Sequence, residues 1–281
     1  MIIDIHSHPG FIKEICQNPE REEFRREKFY LYKQTIWPAE LVIEQLNAAK
    51  IDKAVLLAED VSSRYGDTIV SNEEIKLLVD LYPDRFIGFA SVDPNSKNAV
   101  QDLKRAFKDL GLSGVKFNPS NQGFYPNDSI MDPIYELCVK YNKPIIFHSG
   151  MTWIKNSHSK FSHPLVFEDV ALKYPNLKIC LAHFGWPWIM DTAMLLLKYE
   201  NIYADTALLY FDSPKQFFDT TFNKQLGPYW IDRTLADKVL FGSNYPRIEY
   251  KRMVDAVDVL NLREENKTKV LSANAIKFLG W

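Results

Sequence analysis

Pro144-Ile145-Ile146-Phe147-His148 is a short apolar run closed by a histidine, and Lys178-Ile179-Cys180-Leu181-Ala182-His183 repeats that pattern further along the chain. Leu165 to Tyr174 lies between them, with the spacing of an amphipathic helix and a stop at Tyr174-Pro175. Strands that are apolar nearly throughout and separated by a helix are those of a parallel sheet covered on both faces.

Working outward, the same alternation runs from end to end. Strands are expected at Ile2–His6, Lys53–Ala58, Arg85–Val92, Gly114–Phe117, Pro144–His148, Lys178–Ala182, Asn201–Asp205 and Lys238–Phe241. Helical stretches separate them, among them one begun by Pro38 at its first position, Ser71 to Leu81, Ser96 to Leu110 and Pro214 to Leu226, and a last helix spans about Glu264 to Leu279. Eight alternating units predict an α/β fold, a (β/α)8 TIM barrel, over an open doubly wound sheet. No GxGxxG or GxxxxGK[ST] fingerprint supports a nucleotide-binding alternative. The rhythm breaks once, at Pro9 to Trp37, an insertion after the first strand that mixes charges with Phe24, Phe29, Tyr30 and Tyr32. It reads equally as a lid over the catalytic face or as a solvated helical decoration.

Composition narrows the function. The 281 residues suit one barrel domain plus that insertion, and 46% apolar content provides a large core. A net charge of −2 lacks the basic excess of a nucleic-acid binder. Cys16, Cys138 and Cys180 make no disulfide framework, so a reducing compartment is expected. The N-terminus lacks the basic and long apolar regions of a signal peptide, and no apolar stretch reaches the ~20 residues of a membrane span. The expectation is a soluble, cytoplasmic protein acting on a small molecule, without nucleic-acid or membrane partners.

Four of the six histidines fall at or beside strand ends, where barrel active sites lie. Asp4-Ile5-His6-Ser7-His8 places His6 and His8 two apart, so strand alternation turns both to one face, where two imidazoles can share a metal. Asp4 shares that face by the same count and is expected to anchor a ligand. His148 and His183 end the two runs quoted above. His158 and His163 lie in a polar loop and read as surface residues before substrate contacts. Lys116, in Gly114-Val115-Lys116-Phe117-Asn118-Pro119, reads either as a functional amine or as a strand-end lysine with its head in solvent. Asp205 reads evenly as a site carboxylate or a helix cap.

These residues resemble a known family. The motifs above, with Gln122-Gly123-Phe124-Tyr125-Pro126-Asn127-Asp128, Phe147-His148-Ser149-Gly150, Ala182-His183-Phe184-Gly185 and Phe241-Gly242-Ser243-Asn244-Tyr245-Pro246, are similar to those of the amidohydrolase superfamily. The likeness is to the amidohydrolase-related branch that includes aminocarboxymuconate semialdehyde decarboxylase, and it covers essentially the whole chain. It implies a (β/α)8 barrel with one divalent metal, usually zinc, held by His6, His8 and His148. His183 would orient water or substrate and act as acid or base, and a homodimer is compatible with the family.

One position departs from the pattern. The family carries Asp at the end of the eighth strand, and this chain carries Asn244. An amide can accept a hydrogen bond but cannot serve as a general base near neutral pH. Asn244 therefore joins His183 and Asp205 in the catalytic set, with the base role passing to one of those two or becoming unnecessary. The leading expectation is a metal-dependent hydrolase of a small, carboxylated molecule acting through a metal-bound water. The alternatives are a non-oxidative decarboxylase and a non-catalytic binding barrel. Lys116 and Arg247 are the expected carboxylate binders, and Tyr125, Trp153, Phe184, Trp186 and Trp188 the expected aromatic walls.

Overall fold

A computed structural model describes residues 1–281. Eight parallel strands form one sheet in strict chain order: β1 (Ile3–Ser7), β2 (Lys53–Leu57), β3 (Phe86–Ala90), β4 (Gly114–Phe117), β5 (Ile145–Phe147), β6 (Ile179–Leu181), β7 (Ile202–Asp205) and β8 (Val239–Leu240). Each overlaps one expected run, and β4 coincides with it. β1 is as long as expected but shifted by one residue, and the other six are shorter by one to several residues, the ladder covering only part of each apolar run. Helices surround the sheet, giving the expected (β/α)8 barrel.

The barrel closes between β8 and β1. Ile5 N–H donates to Phe241 O at 2.9 Å, Asn244 N–H to His6 O at 2.9 Å, and His8 N–H to Tyr245 O at 2.7 Å. Asp4, fully buried, ties the same seam: its carboxylate accepts from Ser243 N–H at 3.0 Å, His6 N–H at 2.9 Å, and the hydroxyls of Ser7 and Ser243. This corrects the role expected of Asp4. The register of β1 on β2 slips by one residue between Asp4 and Ser7, so strict alternation does not carry through the strand. Ile5 packs in the barrel core while His6 faces Asp205, and Asp4 braces backbone instead of an imidazole.

Two apolar layers hold the fold. Fourteen buried residues, including Ile5, Val55, Phe89 and Ile146, form one cluster with Ala275, Phe278 and Leu279 of the last helix. Lys178, just before β6, donates to Lys277 O at 3.0 Å, which places that helix against the amino ends of the strands. A larger cluster of 67 residues fills the space between strands and outer helices. Local signals account for several helix ends. Ser71 caps the helix Asn72–Leu81 with a reciprocal Glu74 bond. Pro38 sits one position earlier than expected, at the cap of Ala39–Ala48, with ψ 147°. Pro214–Phe218 continues into wide π-type turns over Asp219–Leu226. A small antiparallel ribbon, Glu59–Asp60 with Thr68–Val70, follows β2 and has no counterpart in the expected strands.

The insertion carries a short 3-10 turn, Lys13–Ile15, and one α-helix, Pro19–Phe29, capped by Asn18. Its inner face is pinned by Arg25, which is fully buried and donates to Ile69 O at 2.8 Å, to Ile15 O at 2.6 Å and to the Glu74 carboxylate. The end of this helix and the two residues after it, Lys28 to Leu31, reach the rim of the pocket at the carboxyl ends of the strands.

Candidate metal centre

That pocket is lined by all four strand-end histidines together with Lys116, Asn244 and Arg247. His6 lies at its base. Its Nδ1 is 2.8 Å from Asp205 Oδ2, and its Nε2 is 3.1 Å from His8 Nε2. An ionised carboxylate only accepts, so His6 carries its proton on Nδ1 and presents the Nε2 lone pair. His183 is fixed in the same way, its Nδ1 donating to Ala207 O at 2.8 Å and leaving Nε2 free. His183 and Phe184 have φ of 59° and 49°, and Gly185 follows at 64°. This left-handed turn swings the imidazole off β6, and a Cβ at Gly185 would stand 2.2 Å from Thr192 Oγ1. His148 stands beside His183, ring centres 5.1 Å apart, and its Nε2–H donates to Met151 O at 3.2 Å.

Burial is the main reason that His6, His8 and His183 are pushed well below the ordinary histidine pKa, with the charge of Lys116 adding to the effect. His148 is lowered to about 3 by the same causes. All four are neutral at pH 7, the form that ligates metal. The donor set fits a divalent ion. His6, His183 and Asp205 offer ligand atoms that lie within 4.8 Å of one another, and His8 joins through His6. His8 Nδ1 is buried without a partner, a cost that lone-pair donation from the opposite nitrogen to a cation would offset. His148 lies outside this tightest group, and its Nε2–H is committed to Met151 O, which leaves Nδ1 as its free ring nitrogen.

Asp205 is neither a helix cap nor a free base. Oδ2 holds His6, and Oδ1 accepts from His183 N–H at 2.7 Å and Ala207 N–H at 3.0 Å. Burial raises its pKa, and those contacts oppose the rise. Asn244 has φ 63°, a conformation Asn tolerates better than most residues, and its Nδ2 donates to Leu208 O at 2.7 Å. A carboxylate at 244 could not make that bond.

Lys116 is 2% exposed, and burial lowers its pKa to about 8. It has no ion-pair partner within the chain. Arg247 lies over the Trp153 ring at 5.6 Å and donates to Phe29 O of the insertion. Four of the five expected wall residues fall outside the pocket. Tyr125 packs on Phe161 at 4.5 Å, and Trp186 on Tyr210 and Phe211 at 5.5 Å each. Phe184 is core against Phe222, and Trp188 packs at a tilt against His163. The aromatic wall consists of Trp153, as expected, with Phe29, Tyr30 and Tyr210. Glu59 also lines the pocket and was missed, although a carboxylate just past the second strand was a readable signal.

The sequence profile of the amidohydrolase family matches residues 3–281. The chain belongs to the amidohydrolase family. Members of this family are typically metal-dependent. Relatives fall in the branch expected from the motifs: 2-amino-3-carboxymuconate-6-semialdehyde decarboxylase of Dictyostelium discoideum is 23% identical over 87% of this chain and 77% of its own length. Among solved structures, 2,6-dihydroxybenzoate decarboxylase from Rhizobium superposes with a TM-score of 0.67 at 15% identity, covering 99% of this chain and 98% of its own. 4-Oxalomesaconate hydratase from Rhodopseudomonas palustris gives 0.65 at 22% identity, covering 100% and 96%. No helix of this amidohydrolase-family chain is long and apolar enough to cross a membrane.

Proposed function

We propose that this protein is a metal-dependent carboxy-lyase that removes a carboxylate without oxidation from a small unsaturated or aromatic acid. The observation that carries this reading is Asn244. Hydrolysis, the first expectation from the superfamily's usual chemistry, needs a base to take a proton from the attacking water. At the end of the eighth strand this chain offers an amide bonded to Leu208 O. Loss of carbon dioxide has no such requirement, and decarboxylases among the relatives support the same choice.

His6 and His8, with His183 or His148 as a further ligand, would hold a divalent ion, zinc first, whose Lewis acidity polarises substrate oxygen. Lys116 and Arg247 meet the carboxylates, and Trp153 with Tyr210 and Phe29 excludes water around the carbon skeleton. The carbon–carbon bond to the carboxylate breaks, carbon dioxide leaves, and the electron pair stays on the substrate carbon. If His148 completes the ligand set, His183 Nε2 takes a proton from solvent and delivers it to that carbon, while Ala207 O keeps the ring in place through Nδ1.

The test is elemental analysis of untagged protein, followed by assay of carbon dioxide release from a panel of aromatic and muconate-like acids. Stoichiometric metal and release by the wild type are expected. Opening of lactones by the wild type without carbon dioxide would return the reading to hydrolysis. Turnover confined to Asn244→Asp would favour a binding barrel.

A further inference from the structure

Glu59 is buried to 5% exposure in the wall of the pocket, and one half of its carboxylate is built into the protein. Oε1 accepts from Asn118 Nδ2 at 3.2 Å and from Asn121 Nδ2 at 3.0 Å. The two amides are themselves oriented. Asn118 Oδ1 accepts from Asn121 N–H at 3.2 Å, and Asn121 Oδ1 accepts from the Tyr65 hydroxyl at 3.3 Å. Their Nδ2 groups are therefore directed at one oxygen of Glu59. Oε2 accepts from no group of the chain, and no lysine or arginine pairs with the carboxylate. Lys116 and Arg247 line the same pocket, and both feel the Glu59 charge without touching it.

A buried carboxylate held on one oxygen and open on the other is an acceptor awaiting a donor. We infer that Glu59 Oε2 reads an O–H or N–H group on the substrate, so that the pocket takes small hydroxy- or amino-substituted carboxylic acids. Lys116 and Arg247 meet the acid group and Glu59 meets the donor, which makes Glu59 a specificity determinant. This inference rests on the pocket being a carboxylic-acid site, as proposed above.

Binding of benzoate and of the 2-, 3- and 4-hydroxy- and aminobenzoates to the metal-loaded protein tests it by calorimetry. At least one hydroxy or amino isomer is expected to bind about tenfold or more tighter than benzoate, the effect of one hydrogen bond to a charged acceptor. The hydroxy and amino series tell which donor is preferred. In Glu59→Gln, the two asparagines keep the oxygen at the Oε1 position, so the new NH2 takes the Oε2 position and presents donors. The preference is then expected to vanish while benzoate binding is retained. Equal binding of benzoate and every substituted isomer to the wild type overturns the inference and leaves the carboxylic-acid reading standing. Absence of binding by any of them, or benzoate binding unaffected by Lys116→Met, overturns that reading and this one together. The wild-type panel decides the matter even if Glu59→Gln fails to fold.

Discussion

Lys116 shows the tension between stability and function at a single residue. Lowering its pKa from 10.5 to about 8 means that the folded protein disfavours the charged amine by roughly 3 kcal/mol. Because the folded value lies below the unfolded one, this cost is complete below pH 8 and fades as pH rises toward 10.5. Lys116→Met is therefore expected to stabilise the ligand-free protein by a few kcal/mol at pH 7 and by little at pH 10, while acid binding falls sharply. Urea unfolding at both pH values checks it, and a destabilised variant at pH 7 would refute it. The amine was readable beforehand because its strand pattern is short and unambiguous, and so were His6, His8, His148, His183 and Arg247. Tyr125 and Trp186 were misplaced because loop aromatics carry no periodicity, and packing alone decides whether they face a pocket or a neighbour. The bond from Asn244 to Leu208 was equally invisible, since it depends on a left-handed φ that no pattern of residue types specifies.

Among the elements, the insertion is where local sequence says least and tertiary contacts say most. Its charged run reads equally as a lid or as a solvated decoration, and neither reading foresees that Arg25 is fully buried with Glu74 from a distant helix completing it. Burial acts to raise the Glu74 pKa, but the charges of Arg25 and Arg21 and the Ser71 N–H hold it below the ordinary carboxylate value. A depressed carboxylate stabilises the fold at neutral pH, and that contribution is lost as pH falls through its folded value. Glu74→Ala leaves a buried guanidinium without its counter-charge and removes the reciprocal half of the Ser71 capping box, and about 3 kcal/mol of destabilisation is expected. The loss should be local first. Limited proteolysis is expected to cut within residues 9–37 faster than in the wild type while the barrel remains resistant. Cleavage distributed over the whole chain would show that the pair anchors more than the insertion. The bulge in β1 escaped notice for a related reason: a one-residue slip leaves the apolar pattern intact and changes only which side chains share a face.

For the whole molecule, eightfold alternation was legible because burial on both faces makes each strand a continuous apolar run, whereas closure was not, since it rests on a few main-chain bonds. The last strand pairs with β7 through only Val239 and Leu240, and the seam to β1 depends on Ile5, His8 and Asn244 with the Asp4 clamp beneath them. His6 and His8 belong to one side of that seam, and His183 reaches across from β6 beyond β7 and β8. A divalent ion held by these imidazoles would connect strands on both sides of the weakest closure in the barrel. Loading should then stabilise the whole fold, by about 2.7 kcal/mol at a hundredfold excess over Kd. Protein dialysed against chelator and titrated with zinc is expected to gain in melting temperature. Hydrogen exchange should slow most at the amides of Ile5, His8 and Asn244. Stoichiometric uptake with an unchanged melting temperature, or protection rising elsewhere but not at the seam, would mean that the metal binds outside this centre. His6→Ala separates the cases: it is expected to abolish both the thermal gain and the local protection, because one ligand on the β1 side is lost while the three backbone bonds of the seam remain.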